Sequence, residues 1–266
     1  MTEPSGQPLT GVREVKSAAR TIDILEVLAA RGNAPVTIRE LCSVLNAPRS
    51  SIYALLRTLV EAGWVRTDPS RTTYSIGIRA LLAGTTYLDA DPLLKVIRPQ
   101  LGLLGKQVGG TVNFGRLDGG HIVYLATWEA PGRERTVTRV GRRLPAHATA
   151  LGQAALATLD PAALRAQLPA DLAALTGRTI ISHALLSREL AAVRRRGYAV
   201  EREQNTLGIA CVAVAVDCGT GGVDALSVSL PLAKLTSGQE RLVASALREA
   251  AATTEEIVGG LAGLLG

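Results

Sequence analysis

TIRELCSVLNAPRSSIYALLRTLVEAGWVR, residues 37–66, reads as a helix, a short turn, a second helix and the start of a strand. Thr37 and Glu40 stand at capping-box spacing, where a threonine side chain and a glutamate three residues on satisfy each other's backbone N–H groups. A short helix is expected there, turning Ile38, Leu41, Val44 and Leu45 inward. Asn46-Ala47-Pro48 interrupts it. Proline pushes its predecessor to extended backbone and suits a first helical turn, so the next helix is expected to open at Pro48. Ile52, Leu55, Leu56, Leu59 and Val60 recur at helical spacing, which leaves Arg49, Ser50, Ser51, Tyr53 and Arg57 on the opposite face. Gly63 ends the helix and Trp64-Val65-Arg66 begins a strand. A winged helix-turn-helix has this order, and it places its second helix in the major groove of DNA.

The same two-helix turn occurs as plain packing in many helical domains, so its neighbours matter. Residues 15–30 form an amphipathic helix, with Ala18, Ala19, Ile22, Leu25 and Leu28 on the side expected to cover the other two. After the second helix come strand 64–67, a turn at Asp68-Pro69-Ser70-Arg71-Thr72, and strand 73–76. That is a wing, with Arg66 and Arg71 placed for phosphate or the minor groove. Across residues 46–80, Arg49, Arg57, Arg66, Arg71 and Arg79 outweigh Glu61 and Asp68, where the duplex would lie.

A chain of 266 residues with 47% hydrophobic content can fill two cores. Its charge of +6 suits a polyanion but is weak evidence alone. Cys42, Cys211 and Cys218, like His121, His147 and His183, lack metal-ligand spacing, so neither zinc, another cofactor nor a disulfide framework is expected. The polar N-terminus reads as a tail rather than a signal peptide, and no apolar run is long enough to span a bilayer. The expectation is a cytoplasmic protein with no membrane partner.

Four regions are expected: a flexible tail at 1–13, the winged helix-turn-helix at 14–77, a linker helix at 78–91 and a second domain at 92–260. Ile78, Leu81, Leu82, Thr85 and Leu88 stripe the linker helix, as if to pack on a copy of itself. Asp91-Pro92 starts a helix running to 108. The period then changes to hairpin 111–128 around Asp118-Gly119-Gly120, followed by a strand at 136–140. Helices are expected at 148–159, from Asp160-Pro161, at 187–196 closed by Gly197, and at 239–258, with strands at 211–216 and 223–230. The class is α+β, with an α/β sensor-like second domain.

Two further stretches, GYAVEREQNTLGIACVAVAVDCGTGGVDALSVSL (197–230) and LPAHATALGQA (144–154), resemble the signature and the glycine-rich effector segment of the IclR (isocitrate-lyase-regulator) family of bacterial transcription factors. The similarity runs from about residue 14 to 260. It implies an N-terminal winged helix, a linker helix and a GAF-like effector-binding domain. It also implies dimers or dimers of dimers on palindromic double-stranded operators, and a small-molecule effector. Carried over position by position, it implies an effector pocket of Ala150, Leu151, Glu201, Cys211, Ser227 and Ser229. The chain departs from the family pattern at Glu201 (usually Asp), Gln204 (usually an acid), Gln153 (often Lys) and Ala54 (often Arg).

The chemistry of those residues suits a short organic acid. A helix start among small residues offers free N–H groups and the positive end of a dipole. Ser227 and Ser229 point hydroxyls to one face of a strand. Glu201 would repel an anion unless burial keeps it protonated or it accepts from a ligand hydroxyl or amine. Cys211 also reads as a core thiol, the serines as ordinary strand residues, and Arg194-Arg195-Arg196 as a solvated helix end. Two other functions stay open on sequence grounds. One is an enzyme with Cys211 as nucleophile and His147 or His121 as base. The other is an oligomerisation or DNA-architecture protein without an effector.

Overall fold

The computed structural model describes residues 15–32, 34–129, 140–219 and 221–265. The tail at 1–13 and residues 136–139 of the strand expected at 136–140 lie outside them, and Val140 stands in a turn. The chain divides into two units, Met1–Leu88 and Asp89–Gly266.

In the first unit the capping box forms: Glu40 N–H donates to Thr37 Oγ1, Thr37 N–H donates to Glu40 Oε2 (2.8 Å), and α2 (Ile38–Val44) follows. Pro48 keeps extended backbone and is the N-cap rather than the first helical residue, so the recognition helix α3 is Arg49–Glu61. Gly63, at φ +76°, turns the chain into β2 (Val65–Thr67), and β3 (Thr73–Ile76) returns. β3 also pairs with β1 (Val36–Thr37), a two-residue strand too short for any periodicity to reveal. Ile52, Leu56 and Leu59 of α3 are buried with Leu41, Val65, Tyr74 and, from α1 (Lys16–Ala30), Ile24 and Leu28.

Two inward expectations fail here. Val44 is 56% exposed, because α2 ends there and its last turn leaves the core. In α1 the buried stripe is Ile24 and Leu28, flanked by Leu25 and Val27. Ile22, at 58% exposure, lies two residues from Ile24 and so on nearly the opposite side of the helix, and Ala18 is exposed with it.

α4 (Ile78–Ala90) starts against the end of α3. Gly77 N–H donates to Trp64 O (2.8 Å) and Arg79 N–H to Gly63 O (3.3 Å). A Cβ on Gly77 would lie 2.3 Å from Gly63 O, so only glycine fits that crossing. α4 has no buried residue, and Ile78, Leu81 and Leu82 are each more than half exposed.

Asp91 caps α5 (Pro92–Val108) in the second unit by accepting from Leu93 N–H (2.9 Å). Its other oxygen meets Arg116 Nη1 at 2.7 Å, and the same guanidinium grips Asp224 through two bonds (2.7 and 3.0 Å). The hairpin is β4 (Thr111–Asp118) and β5 (His121–Trp128). With β6 (Arg143–Pro145), β7 (Ala199–Arg202), β8 (Ile209–Val216) and β9 (Asp224–Pro231) it makes an antiparallel sheet ordered β6-β5-β4-β9-β8-β7. β6 and β7 are short edge strands of three and four residues. α6 (Ala150–Thr158) lies on one face, packed with Ala199, Ala213, Ala225 and Tyr124. α5 and α9 (Ser237–Leu265) pack together and cover the other face.

α7 is Pro161–Gln167 and α8 is His183–Arg196. α8 starts four residues before the expected helix at 187, because the Ser182 hydroxyl caps it. α6 starts two residues after its expected position, at Ala150, because residues 146–148 form a 3-10 turn and Thr149 takes the N-cap. α9 outruns its expected end at 258.

Candidate functional site

Arg49, Ser50, Tyr53 and Arg57 stand exposed on α3, and Arg66 and Arg71 on the wing. Arg66 Nε donates to Ser75 Oγ (2.8 Å), which lays it along the hairpin. Asp68 organises the wing tip. Hydrogen bonds from Ser70, Thr73 and Thr72 hold its carboxyl well below the usual range. The turn leaves Arg71 at φ +56° with its carbonyl accepting from the Tyr74 hydroxyl (3.2 Å). Ser51 differs from its neighbours: it is half-buried, and its hydroxyl accepts from Arg20 Nη1 of α1 (2.9 Å). Arg20 thus braces the first turn of α3. No local sequence signal marks it, because its partner lies far along the chain.

The second group of residues meets on the α6 face of the sheet. Strand register lines up Glu201, Cys211, Ser229 and Thr111 in one row and Ala199, Ala213, Ser227 and Asn113 in the next. Side chains link the rows. Thr127 Oγ1 donates to Asn113 Oδ1 (3.1 Å), Asn113 Nδ2 donates to Ser229 Oγ (3.4 Å), and Ser229 Oγ shares a hydrogen bond with Cys211 Sγ (3.2 Å). The Cys211 thiol also bonds Glu201, whose Oε2 accepts from Gln204 N–H (2.9 Å). Glu201, Ser227, Asn113 and Thr111 are almost wholly buried, and Cys211 and Ser229 half-buried.

Burial pushes the Glu201 carboxyl up to about 7, against hydrogen bonds from Cys211, Gln204 and Asn205 that favour its anion. Glu201 therefore keeps its proton to higher pH than an ordinary carboxyl, and in that form it can donate to an anion instead of repelling it. Burial and the nearby Glu201 raise the Cys211 thiol. It is consequently a neutral packing and hydrogen-bonding group, not an activated nucleophile.

α6 reaches this face through its first turn. Thr149 Oγ1 accepts from Gly152 N–H (3.0 Å), whereas among the described residues no acceptor meets the amides of Ala150 and Leu151. Both residues are buried, in the cluster that includes Cys211 and Ala213. Gly152 permits this approach, since a Cβ there would lie 2.2 Å from Ala146 O. Gln153 Nε2 donates to His147 O (2.8 Å) and to Gln204 Oε1 (2.9 Å). The two glutamines that depart from the family pattern are therefore one contact, a neutral pair where a lysine and an acid would form an ion pair. His147 Nε2 donates to Ala173 O (3.0 Å), and burial lowers its pKa, so the ring is neutral and tied to the backbone at Ala173. Asn113, Thr127, Gln153 and Gln204 were not among the expected site residues. The alternation of Thr111 and Asn113 along an apolar strand is a sequence signal for Asn113, and the departures from the family pattern already mark Gln153 and Gln204.

A winged helix joined to a sheet domain with a buried polar row is the make-up of a ligand-responsive transcriptional regulator. Residues 17–69 match the IclR helix-turn-helix domain and residues 85–255 match the bacterial transcriptional regulator IclR C-terminal domain, so the chain belongs to the IclR family. It is 30% identical to the transcriptional repressor IclR of Escherichia coli over 96% of this chain and 93% of that one. The IclR-type regulator of Alicyclobacillus acidocaldarius superposes with a TM-score of 0.78 at 26% identity, covering 92% of this chain and 99% of that one. An IclR homologue of Microbacterium hydrocarbonoxydans, solved in complex with 4-hydroxybenzoate, superposes at 0.73 with 21% identity over 92% and 99%, a likeness of fold. The chain is a DNA-binding regulator whose C-terminal domain binds an effector, and its relatives are named as transcriptional regulators and repressors. Among the described residues no helix is long and apolar enough to cross a membrane.

Proposed function

We propose that this regulator is a cytoplasmic repressor that reads a palindromic operator as a dimer or dimer of dimers, and that a small organic carboxylate controls it. In this reading residues 14–77 bind DNA, 78–91 link, and 92–260 form a GAF-like effector domain. Arg49, Ser50, Ser51, Tyr53 and Arg57 face the major groove, and Arg66 and Arg71 the flanking backbone. The exposed Ile78, Leu81 and Leu82 support pairing through α4, since two half-sites need two copies. The effector carboxylate lies against the amides of Ala150 and Leu151, with Ser227, Ser229, Cys211 and Glu201 around it.

One observation carries the effector site: two buried helix-start amides, without an acceptor among the described residues, lie in the same core cluster as Cys211 and Ala213, whose strand partners are Ser229 and Ser227. The test is Ala150→Leu. Backbone amides cannot be mutated away, but the space before them can be filled. Calorimetry with a panel of short organic acids should find a ligand for the native protein and none for the variant, with DNA binding unchanged. Equal binding to the variant would place the effector elsewhere.

A further inference from the structure

We propose that the cleft between α3 and the wing is a second ligand site, for a single-ring aromatic carboxylate whose binding competes with DNA. The cleft has a volume of about 140 Å³ and lies wholly within the first unit. Its floor is apolar: Leu56 and Tyr74 are 1% and 5% exposed, with Val60 half-buried beside them. The Tyr74 hydroxyl is tied to Arg71 O, so the ring of Tyr74 is a fixed wall. Tyr53, Arg57, Arg71, Thr67 and Glu61 form the rim, so two guanidiniums face one carboxylate there. An apolar cavity of roughly 150 Å³ accepts one benzene ring, so the size fits a single ring.

The rim supplies the charge. Arg71 makes no ion pair among the described residues, and the Asp68 turn fixes its backbone. Arg57 has only Glu61, at 3.7 Å with both side chains 70% exposed. Such a pair is held weakly and gives way to a ligand carboxylate that brings its ring into the cleft. A DNA phosphate could use the same guanidiniums, but it would gain nothing from Leu56, Val60 and Tyr74. The apolar floor therefore favours a ring. Seated there, the ring lies against Tyr53 and between Arg57 and Arg71, the side chains that the DNA interface needs. Its effect is direct and independent of the sheet domain.

The test uses the full chain with 4-fluorobenzoate as probe, followed by fluorine NMR. Saturable binding is expected with Kd on the order of 1 mM, typical of a small fragment. It should persist in Ala150→Leu, whose effector pocket is filled, and in that background weaken about tenfold on adding Arg71→Ala through loss of a charged contact, and disappear on adding Val60→Phe, which fills the cleft. Arg71 is exposed, so its variant reports even if Val60→Phe disturbs the wing. The probe should also displace a fluorescent random-sequence duplex equally from native and Ala150→Leu proteins. Absence of saturable binding overturns the proposal, as does binding that is lost in Ala150→Leu but unchanged in Arg71→Ala. Probe binding without displacement of the duplex overturns the competition. If Arg71→Ala weakens the duplex while no probe binds, the cleft is a phosphate seat and the proposal falls.

Discussion

The two units place their working side chains in opposite settings. On the winged helix, Arg49, Ser50, Tyr53, Arg57, Arg66 and Arg71 stand in solvent over a core of Ile24, Leu41, Ile52 and Leu56. In the sheet domain, Glu201, Ser227, Asn113 and Thr111 lie inside the core with the alanines and leucines around them. Interface chemistry on the first is separable from stability. In the second the residues that would recognise a ligand also hold the domain together, so each substitution acts on both.

The buried side should show the largest effect. Arg116→Ala leaves Asp224, 1% exposed, without its cation and takes one contact from Asp91. Breaking a buried pair this way costs about 3–5 kcal/mol, read as a lower urea midpoint for the sheet domain. A loss below about 1 kcal/mol, the level of a surface pair, would erase the contrast. Next comes Glu201. The folded chain holds its proton to about pH 7, whereas its ordinary value is 4.5. Folded-state stability from this group is complete below pH 4.5 and is lost as pH rises towards 7. The total is roughly 3 kcal/mol. Glu201→Gln should remove that slope from a plot of stability against pH, and a parallel curve for the two proteins would show that Glu201 titrates normally.

The exposed side should give binding effects alone. Arg49→Ala is expected to weaken a duplex selected from a random pool by roughly 1–3 kcal/mol if the guanidinium reads a base, with an unchanged melting temperature. A shift in melting temperature would tie α3's surface to its core after all. The smallest change is Ser229→Ala, expected to weaken the effector by about 0.5–1.5 kcal/mol, one hydrogen bond. Calorimetry of the effector identified with the native protein checks it, and a loss far above that range would mean that the Asn113–Ser229–Cys211 chain collapses as a unit.

Much of the winged helix is legible in the sequence because its signals are local. Thr37 and Glu40 cap each other three residues apart, Pro48 and Gly63 bound α3, and five apolar residues between them share one face. The phase of α1 is not legible in the sequence, because Ala18 and Ile22 fit a stripe as well as Ile24 does, and only packing decides between them. In the sheet domain the hairpin and the strands around Cys211 and Ser227 are legible by alternation, while β1, β6 and β7 are too short to carry a period. The polar chain is harder still. Asn113 meets Ser229, and Gln153 meets Gln204, only after strand register and the close approach at Gly152 are set. Ala150, Leu151, Glu201, Cys211, Ser227 and Ser229 are legible only through the family resemblance. Register brings Glu201, Cys211 and Ser229 into one row, and Asn113, Thr127, Gln153 and Gln204 are what the fold adds.

The seam at Gly63, Gly77 and Arg79 gives α4 a mechanical meaning. Stitched to the chain just past α3 by two backbone bonds and a crossing that admits no Cβ, α4 leaves the DNA-binding unit as a stiff arm. Thirteen helical residues make that arm about 20 Å long. Its near end cannot shift without moving the chain that leaves α3, because the crossing of Gly63 and Gly77 has no slack. Gly77→Ala would act like a wedge driven into that seam: the start of α4 would have to move away from Gly63.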